Sequence, residues 1–259
     1  MKSLKKLYLT LIYIFMYAPI VVMMIYSFNN STTKNAQWKG FTLQWYKDIF
    51  EDAQMLEALQ TTLYTALLSA LIATIVGTFA AIGIHKMRKK TKAAVMNITY
   101  LPVMNPDIVT GISLMILFVF LRIPLGKTSL LLSHITFNLP YVIISVLPKL
   151  TQFNNNMYEA ALDLGAHPLK AYTKIVVPEI MPGIMTGFLF ALTLSIDDFV
   201  VSFFTAGAGA TNLSIFIYSA VSKRYNPSIN ALSTLMFVTI FVLLCIVNFR
   251  TKKKETVKD

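Results

Sequence analysis

Residues Tyr158 to Pro182 read YEAALDLGAHPLKAYTKIVVPEIMP, a polar, amphipathic interruption between long apolar stretches. The segment has room for two short helices joined at Gly165. A loop that folds in this way is there to touch something. Helical spacing places Met157, Tyr158, Ala161, Leu162 and Leu164 on one side, with Glu159 and Asp163 at i and i+4 on another. Gly165 supplies the permissive backbone for a sharp reversal. Pro168 suits the first turn of a second helix, and Pro178 and Pro182 mark the passage into the next apolar stretch. On periodicity alone, two readings stay open: a docking face with a charged flank, or an amphipathic helix lying on a surface.

The chain around this loop is 56% apolar and only 14% charged over 259 residues, with a mean hydropathy of +0.62. Those values exclude an ordinary soluble domain. A helix needs about 20 apolar residues to cross about 30 Å of hydrocarbon. Six stretches reach that length, roughly 7–28, 59–84, 98–120, 128–147, 180–204 and 231–249. The expected fold is an all-α polytopic membrane protein with six transmembrane helices. A single transmembrane domain over 1–259 is expected, with an outer loop at about 29–58 and the Gly165 loop at about 150–178.

Lysine and arginine collect on the cytoplasmic side of membrane proteins. With the N-terminus inside, sixteen of the 23 basic residues fall on cytoplasmic segments, among them Lys86, Arg88, Lys89, Lys90 and Lys92. Both termini and the Gly165 loop are therefore expected to be cytoplasmic. Topology and anionic lipid then account for the net charge of +11. Nucleic acid is not an expected partner, because no basic run is interleaved with aromatics. The apolar run from Leu7 to Phe28 is too long for a cleaved signal peptide and lacks a small-x-small site, so a retained first helix is expected.

Catalytic and metal chemistry find little support. A single cysteine, Cys245, excludes an internal disulfide and any cysteine-based zinc site. His85, His134 and His167 are scattered without ligand spacing and read as interfacial or packing residues. Phosphate-binding loops, dinucleotide fingerprints and nucleophile elbows do not occur. No cofactor bound by this chain is expected, and its energy must come from elsewhere. In the outer loop, Trp38, Trp45 and Tyr46 suit a membrane interface, and Trp45 to Leu59 reads as a flat surface helix or as packing against neighbouring spans, with packing the preferred reading. Asp48, Glu51, Asp52 and Glu57 give this face an acidic character, which keeps a docking surface for an external partner open as an alternative.

The order Glu159-Ala160-Ala161, three residues, Gly165, nine residues, then Ile175-Val176-Val177-Pro178 resembles the EAA loop of permease subunits in binding-protein-dependent ABC importers. Val177 stands where leucine is commoner. The resemblance implies a coupling helix, carried by Glu159, Ala160, Ala161, Gly165 and Pro178, that inserts into a groove on a cytoplasmic ATPase. Asn105 to Val109, Ser133 to Phe137 and Leu194 to Phe199 resemble the corresponding stretches of spermidine/putrescine importer permeases, and the similarity runs over nearly the whole chain. It implies a multi-pass subunit of the cytoplasmic membrane working by alternating access. The implied partners are a homologous permease forming a heterodimer, two copies of an ATPase that bind ATP and magnesium, and an extracytoplasmic polyamine-binding protein.

Three carboxylates, Asp107, Asp197 and Asp198, fall inside predicted spans, where a charge at a helix centre costs about 2.5–3.5 kcal/mol. No lysine or arginine lies at comparable depth. An acidic passage favours cations. A polyamine offers ammonium groups for such acids and methylenes that can lie along Phe199, Phe203 or Phe204. Adjacent helical residues project about 100° apart, so one of Asp197 and Asp198 is expected to face the passage. Local readings compete: Asp107 as a cap on a restarted third helix, and the aspartate pair bonded to a Ser, Thr or Lys of a neighbouring subunit. Two rival functions also stand, an ABC permease for another small solute and an ion-coupled secondary transporter. The latter often shows internal repeats, and the two halves of this chain show none.

Overall fold

Apart from one isolated bridge between Asn29 and Phe41, helices form every regular element among the described residues. The structure is a computed structural model that describes residues 2–32, 37–223 and 226–255. Lys34, Arg224 and Lys258 lie outside the described residues, as do the side chains of Cys245 and of the basic stretch after it. Two compact units divide the chain, one formed by 1–57 with 216–259 and the other by 58–215.

The first unit contains α1 (Lys2–Tyr26), α2 (Gln44–Glu51) and the start of α3 (Ala53–His85). The α1 span from Lys5 to Tyr26 buries none of its side chains in the protein, as expected of a helix that meets lipid. Asn29 organises the outer loop: its amide donates to the Gln37 carbonyl at 3.1 Å and accepts from Lys39 N–H at 2.9 Å. Trp45 Nε1 donates to the Asn29 carbonyl at 2.8 Å, and the Ser27 and Tyr46 hydroxyls meet at 2.8 Å. Trp45 and Tyr46 therefore pin the loop, in line with the packing reading. The stretch Trp45 to Leu59, whose alternative reading is one flat surface helix, is broken at Asp52. Its carboxylate accepts from Gln54 and Met55 N–H at 3.0 and 3.1 Å and starts a separate helix.

The second unit holds the rest of α3, then α4 (Lys89–Met104), α5 (Asp107–Phe120) and α6 (Lys127–Gln152). After these come α7 (Asn155–Asp163) and α8 (Pro168–Ala171), which continues through a π-helical turn (Tyr172–Val176) into α9 (Val177–Asp197). The short α10 (Val200–Thr205) precedes α11 (Leu213–Lys223), and α12 (Ser228–Glu255) closes the chain in the first unit. Ala66, Ala70, Ala73, Gly77 and Ala81 make a small-residue stripe along α3, and its four alanines are fully buried. Gly183 and Gly187 do the same on α9, in the small-xxx-small spacing that lets membrane helices approach closely. A methyl group on Gly77 would stand 2.7 Å from Val142 Cγ1, and one on Gly187 3.2 Å from Val142 Cα. Val142 of α6 is thus gripped from both sides.

Two expected spans are not single helices. The stretch 98–120 breaks at Asn105-Pro106, where α4 and α5 meet at 105°. Asn105 is extended (φ −77°, ψ 145°), because the proline ring disfavours helix in the residue before it. The stretch 180–204 breaks at Asp198, and its helix begins earlier than expected, at Pro168. Four helices among the described residues are long and apolar enough to cross a membrane, five if the bent pair counts as one.

The glycine contacts yield a prediction. Gly187→Leu should lower the thermal stability of the detergent-solubilised protein, because overpacking against backbone costs about 1–3 kcal/mol. Gly83→Ala, where nothing lies within 4 Å, should leave stability unchanged or raise it by about 0.5–1 kcal/mol. Equal melting temperatures for the two variants would contradict this packing.

Candidate functional site

All three candidate acids sit at helix ends, not at helix centres. Asp107 opens α5, Asp197 closes α9, and Asp198 lies in the break before α10. The 21 residues of α9 rise about 31 Å, close to one hydrocarbon thickness. The chain then leaves the helix at Asp198 (φ −63°, ψ 122°), so the expected 100° offset between neighbouring aspartates does not apply.

Asp198 is buried and caps α10. Its carboxylate accepts from Val201 N–H at 3.2 Å, Ser202 N–H at 2.7 Å and the Ser202 hydroxyl at 2.7 Å. His134 Nε2 lies 3.6 Å from the same carboxylate and 2.9 Å from Ser202 Oγ. Asn212 donates to Ser202 Oγ at 2.7 Å and to the Asp198 carbonyl at 3.2 Å. The expected partner on a neighbouring subunit is thus found within the chain itself, in Ser202. A charged carboxylate with three donors recovers what its burial costs, since each charge-assisted bond contributes about 1.5–3 kcal/mol.

Asp197 is exposed, and no hydrogen bond reaches its carboxylate from another side chain among the described residues. It stands at the negative end of the α9 dipole, where an acid is disfavoured and a cation favoured. Phe199 follows at the start of α10, its ring 5.5 Å from that of Phe203, which meets Phe204 edge to face at 5.6 Å. A methyl group on Gly111 of α5 would stand 3.3 Å from Val201 Cα and 3.0 Å from the Phe204 ring, so α5 is pressed against this aromatic turn. Asp107 is also exposed, in the first turn of α5, where the dipole favours a negative charge. Pro106 takes the capping position and makes no side-chain bond, so the capping reading of Asp107 reduces to this dipole contact.

The polar column continues inward from Asp198. Asn138 donates to Ser195 Oγ at 2.8 Å and Ser69 Oγ at 3.3 Å, while the two serine hydroxyls meet at 3.1 Å. Ser133 and Ser129 bond to Thr205 from the other side. Sequence reading singled out none of Asn138, Ser202 and Asn212 and took His134 for packing. The available signal was the i, i+4 pair His134 and Asn138 within an apolar run, matched by Thr62, Thr65 and Ser69 on α3.

The Gly165 loop adopts the expected reversal. Gly165 has φ +84°, Gly165 N–H donates to the Leu162 carbonyl at 2.9 Å, and Ala166 N–H donates to that of Ala161 at 3.0 Å. These paired bonds and the left-handed glycine form a Schellman ending to α7. Asn154 caps its start, and His167 Nδ1 accepts from Leu169 N–H at 3.3 Å ahead of Pro168. The expected apolar face divides in two. Tyr158, Ala161 and Leu162 turn partly inward, Tyr158 meeting Tyr172 at 4.8 Å between ring centroids. Leu164 at 90%, Leu169 at 69% and Met157 at 51% exposure face outward with Glu159 and Ala160.

Pro178 lacks an N–H and its ring crowds the carbonyl one turn back, so the helix widens before it. Val177 N–H reaches the Tyr172 carbonyl across the π-turn. Lys86 Nζ lies 4.8 Å from the Tyr172 ring centroid. A hydrogen bond to that side chain holds its ammonium above the ordinary range.

Residues 73–251 match the family described as binding-protein-dependent transport system inner membrane component. The chain is 40% identical over 237 residues to the spermidine/putrescine transport system permease protein PotC of Escherichia coli K12, covering 92% of this chain and 89% of that one. It is 36% identical over 252 residues to PotC of Haemophilus influenzae, covering 97% and 98%. With the E. coli putrescine permease PotI it shares 37% identity over 236 residues, covering 88% and 84%. Among solved structures, a bacterial ABC transporter that imports the acidic polysaccharide alginate superimposes with a TM-score of 0.73 at 19% identity, covering 97% of this chain and 95% of that one. The chain belongs to the family of binding-protein-dependent transport system inner membrane components.

Proposed function

We propose that this chain carries the polyamines spermidine and putrescine inward across the cytoplasmic membrane, as one permease subunit of an ATP-driven importer. Its near-full-length identity to three polyamine permeases carries the proposal. The chain forms one permease domain with both termini and the Gly165 loop in the cytoplasm. It pairs with a homologous permease, and two copies of a cytoplasmic ATPase hold ATP and magnesium. A loaded extracytoplasmic binding protein delivers cargo to the outer face.

Asp197 is the carboxylate that receives an ammonium group, since it is exposed and unshared. Asp107, also exposed, offers a second. Phe199 lines the route for the methylenes between ammonium groups. Asp198 acts through its neighbours by fixing the turn that presents Asp197. At the other end of α9, Glu159, Ala160, Ala161 and Gly165 form the contact with the ATPase. The Pro168–Asp197 helix, widened once before Pro178, carries movement of that contact toward Asp197.

In cells without their own polyamine import, uptake of radiolabelled spermidine and putrescine should require this chain and an active partner ATPase. Uptake independent of this chain in an assembled complex would reject polyamine cargo and favour another small solute. Asp197→Asn should reduce uptake about 10–100-fold, the loss of one charge-assisted bond of about 1.5–3 kcal/mol, with assembly intact. Asp198→Asn should instead lower the melting temperature of the complex, as neutralising a buried three-donor acceptor costs about 1–3 kcal/mol. Reversal of these two phenotypes would refute the division of roles.

Coupling yields a separate expectation. No atom lies within 4 Å of a methyl group on Gly165, so Gly165→Ala is penalised only by its left-handed backbone, at about 1–2 kcal/mol. It should weaken uptake while partner ATP turnover continues. Gly165→Pro, which also removes the N–H bonded to Leu162, should uncouple the two fully. Normal uptake in Gly165→Pro would dismiss the loop as the coupling element.

A further inference from the structure

Five buried polar atoms of the second unit have no hydrogen-bond partner among the described residues; two belong to Thr78 and His85, and the other three are His134 Nδ1, Asn138 Oδ1 and Thr65 Oγ1. The residues of these three are exposed by only 1%, 0% and 2%. Two of them belong to α6, at i and i+4, and therefore share a helix face. Thr65 lies on α3 between two residues that are tied to the same neighbourhood. One turn further along, Ser69 Oγ accepts from Asn138 at 3.3 Å. Three residues before it, Thr62 Oγ1 accepts from Leu213 N–H at 2.7 Å, and the adjoining Asn212 reaches Ser202 beside His134. Thr62, Thr65 and Ser69, at i, i+3 and i+7, lie on one helical face, so Thr65 shares the face of α3 that meets Asn138 through Ser69.

Hydrogen-bond accounting then fixes what fits there. The Ser202 hydroxyl gives its only hydrogen to Asp198. Asn212 is oriented by Ile215 N–H on its oxygen at 3.0 Å, so its nitrogen donates to Ser202 Oγ. His134 Nε2, at 2.9 Å from that oxygen, must likewise donate. In the neutral ring Nδ1 is left as a bare acceptor. Asn138 spends both amide hydrogens on Ser69 and Ser195, which leaves its oxygen as a second acceptor. Thr65 contributes a hydroxyl donor. Two acceptors and one donor are the complement of a single water molecule, which gives two hydrogens and accepts one. Buried waters typically make about three such bonds to otherwise unsatisfied groups.

We propose that one ordered water is bound between α3 and α6, donating to His134 Nδ1 and Asn138 Oδ1 and accepting from Thr65 Oγ1. It closes the polar column that runs from Asp198 to Ser69. A dehydrated alkali cation is a poorer match, because imidazole nitrogen is a weak ligand for a hard cation and the hydroxyl hydrogen of Thr65 would be left unused. The ammonium end of a cargo molecule shares the donor chemistry, but the near-complete burial of all three residues closes the site to a chain.

The test uses the assembled transporter with its partner subunits. A density map at a resolution that shows ordered water should contain one compact peak within hydrogen-bonding reach of all three atoms, with or without added spermidine. Absence of the peak where other internal waters are visible would overturn the proposal, as would density elongated by spermidine. Thr65→Val provides an independent reading through the sign of its effect. If the hydroxyl holds water, its removal lowers the melting temperature of the complex and Thr65→Ser restores it. An unchanged or raised melting temperature for Thr65→Val would mean that the hydroxyl has no ligand, and the site would be rejected.

Discussion

The carboxylate of Asp198 is the interaction on which the second unit depends. A helix that restarts inside a membrane protein leaves its first backbone donors unpaired, and lipid offers nothing to satisfy them. Asp198 accepts from two backbone N–H groups and a hydroxyl of α10, which begins again immediately after the break. His134 and Asn212 approach Asp198 and Ser202 from α6 and from the segment before α11, so the turn is tied to two further parts of the unit. Without such a cap, the apolar sequence from Ile180 onward would be free to continue as one long helix, and Asp197 would not stand at a terminus.

That constraint divides two adjacent and chemically identical residues. Asp198 satisfies its charge inside the protein. Asp197 finds no such side-chain partner among the described residues, and its position at the C-terminal end of α9 makes a cation the favourable neighbour. The difference lies in backbone geometry: one residue ends a helix and the next adopts an extended ψ, so their side chains point into different surroundings. Phe199, Phe203 and Phe204 follow on the same turn, and close approach of α5 at Gly111 places Asp107 on the helix pressed against them.

The fold class was legible in the sequence because long apolar runs report lipid directly. The reversal at Gly165 was legible too, since only glycine adopts that left-handed conformation without strain, and Pro168 and Pro178 fixed the flanking segments. The breaks at Pro106 and Asp198 were less visible, as hydropathy averages over a window and does not register where an apolar stretch turns. Proline gave the first away in part, and Asp107 was accordingly read as sitting after a restart. The second has a local part, the aspartate that caps Val201 and Ser202, but the turn is also tied to His134 and Asn212, which lie 64 and 14 residues away from Asp198 and cannot be read from its neighbourhood in sequence. Side chains read as isolated polar residues in apolar runs become one column only after α3, α6 and α9 are assembled.

Assembly in turn depends on residues that carry no chemistry. Gly77 and Gly187 let α3 and α9 close on Val142, and Gly183 lets α9 approach Ser145 and Lys149 of α6, with neighbouring atoms within about 3.2 Å of where a methyl group would sit. Close approach has a second consequence. It brings Ser69, Asn138 and Ser195, one from each of the three helices, within hydrogen-bonding distance at the centre of the unit. Larger residues on the stripes would separate the helices and leave those polar groups facing apolar surroundings, each losing about 1–3 kcal/mol. Small residues and buried polar residues are therefore one device. The glycines set the spacing, the polar groups make any other spacing unfavourable, and together they hold α9 as a rigid connection between the Gly165 loop and the aspartate at its far end.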